Sequence, residues 1–143
     1  MSKVVQGRAS VRDSGGLEAL LHAFHDKEAD VRLEVAQCLM HFSTALNDGC
    51  SALVSAGTVY GIVEGMDDAS PPVSKSCIQA LSNVARLDEG IEHALLAGVM
   101  PRLCRLLLAH RDGLQAAQAK RGKVKPTNIP DAIEFTVTIL QAI

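Results

Sequence analysis

The chain has 143 residues, room for about one domain and one core, and 48% of them are hydrophobic against 21% charged. With 14 Lys and Arg against 16 Asp and Glu the net charge is -2, a balance that excludes a disordered, collagen-like or supercharged nucleic-acid-binding chain. Aromatic residues are only 3%, namely Phe24, Phe42, Phe135 and Tyr60 with no Trp, so the core is expected to be aliphatic helix packing rather than the aromatic, β-branched interior of a β-sandwich.

Residues 1–15 carry no apolar stretch of signal-peptide length, which makes the cytoplasm the expected location, and Gly7 to Gly15 read as the tail of a helix from a partial preceding repeat. Leu17, Leu20, Leu21 and Phe24 then follow the i, i+3, i+4, i+7 spacing of a helix face, and Val31, Val35, Leu39 and Phe42 continue it. Further on, Asp67-Asp-Ala-Ser-Pro-Pro72 breaks the chain between two helices, and Pro101 stands near the start of a helix marked by Leu103, Leu106 and Leu107.

A fixed period runs through these elements. Gly16, Gly57 and Gly98 are 41 residues apart both times, and the pairs Asp48-Gly49 and Glu89-Gly90 are again 41 apart. Val31-Arg-Leu-Glu-Val-Ala-Gln-Cys-Leu39 lies over Val73-Ser-Lys-Ser-Cys-Ile-Gln-Ala-Leu81, and a third copy is Asp131-Ala-Ile-Glu-Phe-Thr-Val-Thr-Ile-Leu140. Each unit reads as a short, a medium and a long buried helix. The expected organisation is repeat 1 at 16–56, repeat 2 at 57–97 and repeat 3 at 98–143, the last enlarged by an insertion at about 109–130.

The Gly that opens a helix, the Asp-Val turn and above all Ile78-Gln-Ala-Leu-Ser-Asn-Val-Ala85 resemble the armadillo repeat; HEAT and armadillo units run about 40–47 residues. The HEAT repeat, which shares the Asp30-Val-Arg32 feature, is the alternative family. The resemblance implies an all-α superhelix of about three repeats that binds a protein or peptide without catalysis. It also implies a concave groove lined by third helices, where an Asn ladder holds a peptide backbone and Trp residues one turn earlier pack its stems. Here the Asn positions read His41, Asn83 and Ala142, and the Trp positions read Gln37, Gln79 and Thr138, so any readout is polar, with Lys75 at the edge. The same six-residue-type surface, Gln37, His41, Lys75, Gln79, Asn83 and Thr138, is equally consistent with the solvated side of long helices, with Asn83 tying neighbouring repeats together.

Two other segments invite partners. The helix expected from Asp131 to Ile143 is apolar around its girth, and the stack is expected to have uncapped ends, which suits self-association or a second protein. The insertion contains Arg111, Lys120, Arg121, Lys123 and Lys125 with Asp112 as its only acid, so it carries +4 against -6 for the remainder. That patch suits an acidic polymer such as a microtubule or RNA, as in a cytoskeletal or ciliary (axonemal) assembly, or a nuclear-import signal; a solvated loop is the simpler alternative. Without aromatic residues to stack bases, nucleic acid is the disfavoured partner.

The remaining motifs point to structure. No nucleophile-elbow, phosphate-loop, dinucleotide or zinc-protease pattern is present, so no enzyme activity, small-molecule substrate or cofactor is expected. His22, His25, Cys38 and His41 lack the paired-knuckle spacing of a structural zinc site, and no metal is expected. Cys38, Cys50, Cys77 and Cys104 are spaced by 12, 27 and 27 residues and read as reduced thiols in core or surface positions. No apolar run approaches the roughly 20 residues of a membrane span, so the Gly57, Gly61, Gly65 face is read as a close helix approach.

Overall fold

The computed structural model describes residues 3–120. Among them every regular element is helical: α1 (Lys3–Asp13), α2 (Gly16–Ala23), α3 (Ala29–Ser43), a π-helical turn (Leu46–Cys50) that runs into α4 (Ser51–Ser55), α5 (Val59–Gly65), α6 (Pro71–Val84), α7 (Asp88–Leu96) and α8 (Val99–Lys120). The expected third copy at 131–140 and Phe135 lie outside the described residues.

Three left-handed glycines set the repeat. Gly15, Gly57 and Gly98 have φ of 72°, 68° and 79°, a backbone region that glycine occupies without the penalty paid by other residues. Each joins a helix directly to the next: α1 to α2, α4 to α5, α7 to α8. The first of the series is therefore Gly15 rather than Gly16, which is the first residue of α2, and the intervals are 42 and then 41. In this arrangement α1 stands to α2 as α4 stands to α5, a different place from the third-helix tail suggested by sequence.

A second pair of glycines lies at the start of the helical segment that follows each long helix. A Cβ on Gly49 would lie 1.9 Å from the carbonyl oxygen of Phe42, and one on Gly90 would lie 2.1 Å from that of Val84. The first helix of the following unit thus crosses the end of α3, and later of α6, with backbone against backbone. The glycines on α5 serve a third purpose: a Cβ on Gly61 would meet Leu21 at 2.7 Å, and one on Gly65 would meet Phe24 at 2.6 Å. Gly61 and Gly65 therefore let α5 settle onto α2, while Gly57 belongs to the turn.

The core is aliphatic. Leu39, Leu53, Ile62, Met66, Ile78, Leu81 and Leu103 are fully buried, joined by Phe24 and Phe42, while Tyr60 is exposed. Each such side chain contributes about 1.5–3 kcal/mol relative to leaving it in water. The α6 helix is buried over most of its girth, with only Pro71, Pro72 and Lys75 exposed. By contrast Val31, expected in the apolar face of α3, is 38% exposed although Val35, Leu39 and Phe42 on the same helix are buried.

Candidate functional site

The long helices α3 and α6 pack side by side, and the 42-residue offset between Gly15 and Gly57 puts Gln37 level with Gln79 and His41 level with Asn83. Gln37, Gln79 and Asn83 are half-buried, and His41 and Lys75 are exposed. Thr138, the sixth expected groove residue, lies outside the described residues. Asn83 is engaged within the fold: its Nδ2 donates to Oγ of Ser43 at 2.9 Å, and that hydroxyl donates to the carbonyl of Met40 at 2.6 Å. The Asn position thus links α6 to α3, through a side-chain hydroxyl rather than a backbone group. His41 precedes Ser43 by two residues on α3, so it stands roughly 200° around the helix from the side chain that meets α6.

Ion pairs that no motif in the sequence marks tie the loops between second and third helices to neighbouring units. Arg32 Nε donates to Asp68 Oδ2 at 2.7 Å and its Nη2 to Oδ1 at 3.1 Å, while Nη1 donates to the carbonyls of Asp26 and Lys27. The neighbouring Asp67 accepts from Arg102 and, at 3.0 Å, from Arg105 of α8. Consecutive carboxylates therefore hold the preceding unit with one hand and the following unit with the other. The Arg32 guanidinium, hydrogen-bonded to its carboxylate, holds the Asp68 carboxyl below the usual range, aided by the Ser70 N–H. A sequence signal existed: Asp26 and Asp68 share the 42-residue offset, and each accepts the N–H two residues on at 2.8 Å, Glu28 in one loop and Ser70 in the other.

The basic insertion divides differently. α8 continues without a break to Lys120, so the first half of the expected 109–130 segment prolongs the second helix of its unit to 22 residues against 7 in α5. Arg111 is exposed and pairs with the adjacent Asp112 at 3.0 Å. Arg121, Lys123 and Lys125 lie outside the described residues, and Lys120 is the last residue of α8.

Other chemistry is sparse. Among the described residues no group of three or more His, Cys, Asp or Glu is placed to hold a metal ion, and no helix is long and apolar enough to cross a membrane. Cys50 and Cys77 are buried and Cys38 and Cys104 exposed. The clefts are shallow, the one bounded by Arg12, Glu18, Asp48 and Ser51 measuring about 340 Å³.

Comparison with known proteins supports the fold. The HEAT repeat model matches residues 17–46, the unit of α2 and α3. No curated protein matches the chain. Among solved structures, an engineered protein from the Northeast Structural Genomics Consortium is similar over 94% of this chain and 29% of its own, at 23% identity and a TM-score of 0.73. A designed armadillo repeat protein in complex with the peptide (KR)4 is similar over 96% of this chain and 56% of its own, at 20% identity and a TM-score of 0.72. A second designed armadillo repeat protein covers 85% of this chain and 46% of its own, at 20% identity and a TM-score of 0.68. The chain thus spans between 29% and 56% of the length of these structures. Because a short first helix precedes each second helix, and because the designed armadillo proteins superpose on nearly the whole chain, its fold is an armadillo-like all-α repeat solenoid, with HEAT-type sequence in its first unit.

Proposed function

We propose that this chain is a non-enzymatic protein-binding scaffold or assembly subunit that receives an extended segment of a partner along the ridge formed by α3 and α6. The observation that carries this reading is the level placement of Gln37 and Gln79 on two adjacent third helices, with Lys75 one turn before Gln79 on the exposed stripe of α6. Solenoids of stacked helices offer extended surfaces rather than enclosed pockets, and a structural neighbour carries a peptide. Amides at a repeating interval suit a peptide backbone, which offers a donor and an acceptor at each residue. Trp and Arg anchors dominate most interface energies, and with Gln in both described Trp positions the expected affinity is modest.

The test is a library of extended eight-residue peptides screened against the full chain, followed by the triple variant Gln37→Ala, Gln79→Ala, Lys75→Glu. Selected peptides should lose about ten-fold or more in affinity on the triple variant, the effect of about 1.4 kcal/mol. Equal binding by the parent and the triple variant rejects the groove. The longer α8 gives no support of its own to binding of an acidic polymer, since its exposed Arg111 is already paired with Asp112.

A further inference from the structure

Lys75 and Arg86 differ from the cations that bind the repeats together. Arg32 is paired with Asp68, Arg102 and Arg105 with Asp67, and Arg12 and Arg111 each with an adjacent aspartate. Lys75 and Arg86 are exposed and form no ion pair with any described residue. They also share one line. Lys75 stands in the second turn of α6, and Ala85, still right-handed, brings the chain round to Arg86 just past the helix. At about 100° per residue, Lys75, Gln79, Ser82 and Arg86 fall within roughly 60° of one another. Gln79 and Ser82 are half-buried there, and every other side chain from Val73 to Ala85 is buried except Asn83, which is bonded to Ser43. The line is therefore the outward side of a helix whose other sides are already covered, the position that a groove-lining stripe must have.

Neither third helix carries a carboxylate on this line. The 42-residue offset sets Leu33, Gln37, Met40 and Thr44 of α3 beside Lys75, Gln79, Ser82 and Arg86, and all four are uncharged. Lys75 and Arg86 lie about 16 Å apart along the axis, at about 1.5 Å per residue. An extended segment that crosses α3 and α6 at Gln37 and Gln79 passes between them. Successive side chains of an extended chain point to opposite sides, so neighbouring residues reach Lys75 on one bank and Arg86 on the other. A basic segment, such as the (KR)4 peptide in complex with the designed neighbour, would meet like charge on both banks. We propose that the groove takes an acidic extended segment whose neighbouring carboxylates pair with Lys75 and Arg86; this rests on the peptide reading above and adds the chemistry of the ligand.

The test titrates the full chain into the fluorescein-labelled peptides (DE)4, (NQ)4 and (KR)4 at about 0.1 M salt, where exposed charges within about 10 Å still interact. (DE)4 should bind about ten-fold more tightly than (NQ)4, and (KR)4 no more tightly than (NQ)4. Lys75→Gln and Arg86→Gln should each weaken (DE)4 about three-fold, the size of an exposed ion pair, and together about ten-fold, with (NQ)4 unchanged. The charge reversal Lys75→Glu, Arg86→Glu should turn the preference to (KR)4. Both side chains are on the surface, and matching melting curves establish that the variants fold. Equal binding of the three peptides, or a preference of the parent for (KR)4, overturns the acidic assignment; loss of that binding in Gln37→Ala, Gln79→Ala would leave the groove itself standing. An affinity for (DE)4 that survives Lys75→Gln, Arg86→Gln but falls when Lys120, Arg121, Lys123 and Lys125 are replaced by Ser also overturns it, placing the acidic segment on the basic insertion. No binding by any of the three overturns the assignment together with the groove.

Discussion

Arg32 and Asp68, 36 residues apart, form a two-point ion pair that is largely shielded from solvent, with side-chain exposures of 18% and 10%. The planar guanidinium matches both carboxylate oxygens, and its third nitrogen caps the carbonyls of Asp26 and Lys27. Arg32 thus joins the loop before α3 to the loop before α6.

This pair makes stability depend on acid. Asp68 is held below its unfolded value of about 3.9, chiefly by the hydrogen bond from Arg32. A carboxyl depressed in the folded state binds its proton more readily when unfolded, so its stabilisation is present above about pH 4 and is lost as pH falls through the folded value. The melting temperature should therefore drop more steeply between pH 4 and 2 for the parent than for Asp68→Asn. Parallel curves for the two proteins would show that the pair does not couple folding to protonation.

The glycines separate into two classes with different costs. Gly57→Ala strains a left-handed backbone but meets nothing within 4 Å, so it should cost about 1–2 kcal/mol. Gly49→Ala and Gly90→Ala drive a methyl group into a backbone carbonyl and should cost roughly 3 kcal/mol or more, beyond ordinary overpacking. Urea unfolding of the three variants gives the order directly. A Gly49 variant as stable as the Gly57 variant contradicts the close crossing over Phe42.

Thiol chemistry should follow the same geometry. Burial pushes the Cys77 thiol up to about 12, with Asp68 adding to the effect, and burial also raises Cys50. The Cys50 Sγ donates to the carbonyl of Ser43 at 2.9 Å. Because thiolate is the reacting species, a chromogenic disulfide at pH 8 should find two fast thiols, Cys38 and Cys104, and two that react only on unfolding. Cys38→Ser together with Cys104→Ser should leave no fast phase; a surviving one would mean that α6 or the π-helical turn at Cys50 opens readily.

Much of this fold is written in its glycines, because a missing side chain is forced by sterics and leaves a mark at a fixed period. Gly49 and Gly90 kept their 41-residue spacing from sequence to structure, and Gly61 and Gly65 proved to be a helix contact. Gly16 misled by one position since Gly15 and Gly16 are adjacent and only the backbone angle tells them apart. The place of α1 was illegible for a different reason: a helix of low amphipathicity looks alike as a first or a third helix until the turn that follows it is known. Val31 belongs to the apolar period of α3 yet is exposed, because a period marks one side of a helix and not how deeply each residue on it is covered. The ion pairs at Asp67 and Asp68 are not legible in the sequence, since charge runs are usually solvated, and only the recurrence of Asp at 26 and 68 marks one of them.

The link between Asn83 and Ser43 should behave as a coupled unit. Asn83 donates to Ser43, and the Ser43 hydroxyl, itself 1% exposed, donates to the carbonyl of Met40. Asn83→Ala removes one hydrogen bond between α6 and α3 and should cost about 1 kcal/mol. Ser43→Ala removes the same bond together with the bond to Met40 and should cost more. If the contact is direct, the double variant should fall short of the sum of the two by about 0.5–1 kcal/mol, since the shared bond is lost only once. Additive costs would mean that Asn83 stabilises the stack by another route and is available to a bound peptide. Coupling together with unchanged peptide affinity in Asn83→Ala would mean that the Asn position serves the packing of repeats, with Gln37 and Gln79 left as the polar readout.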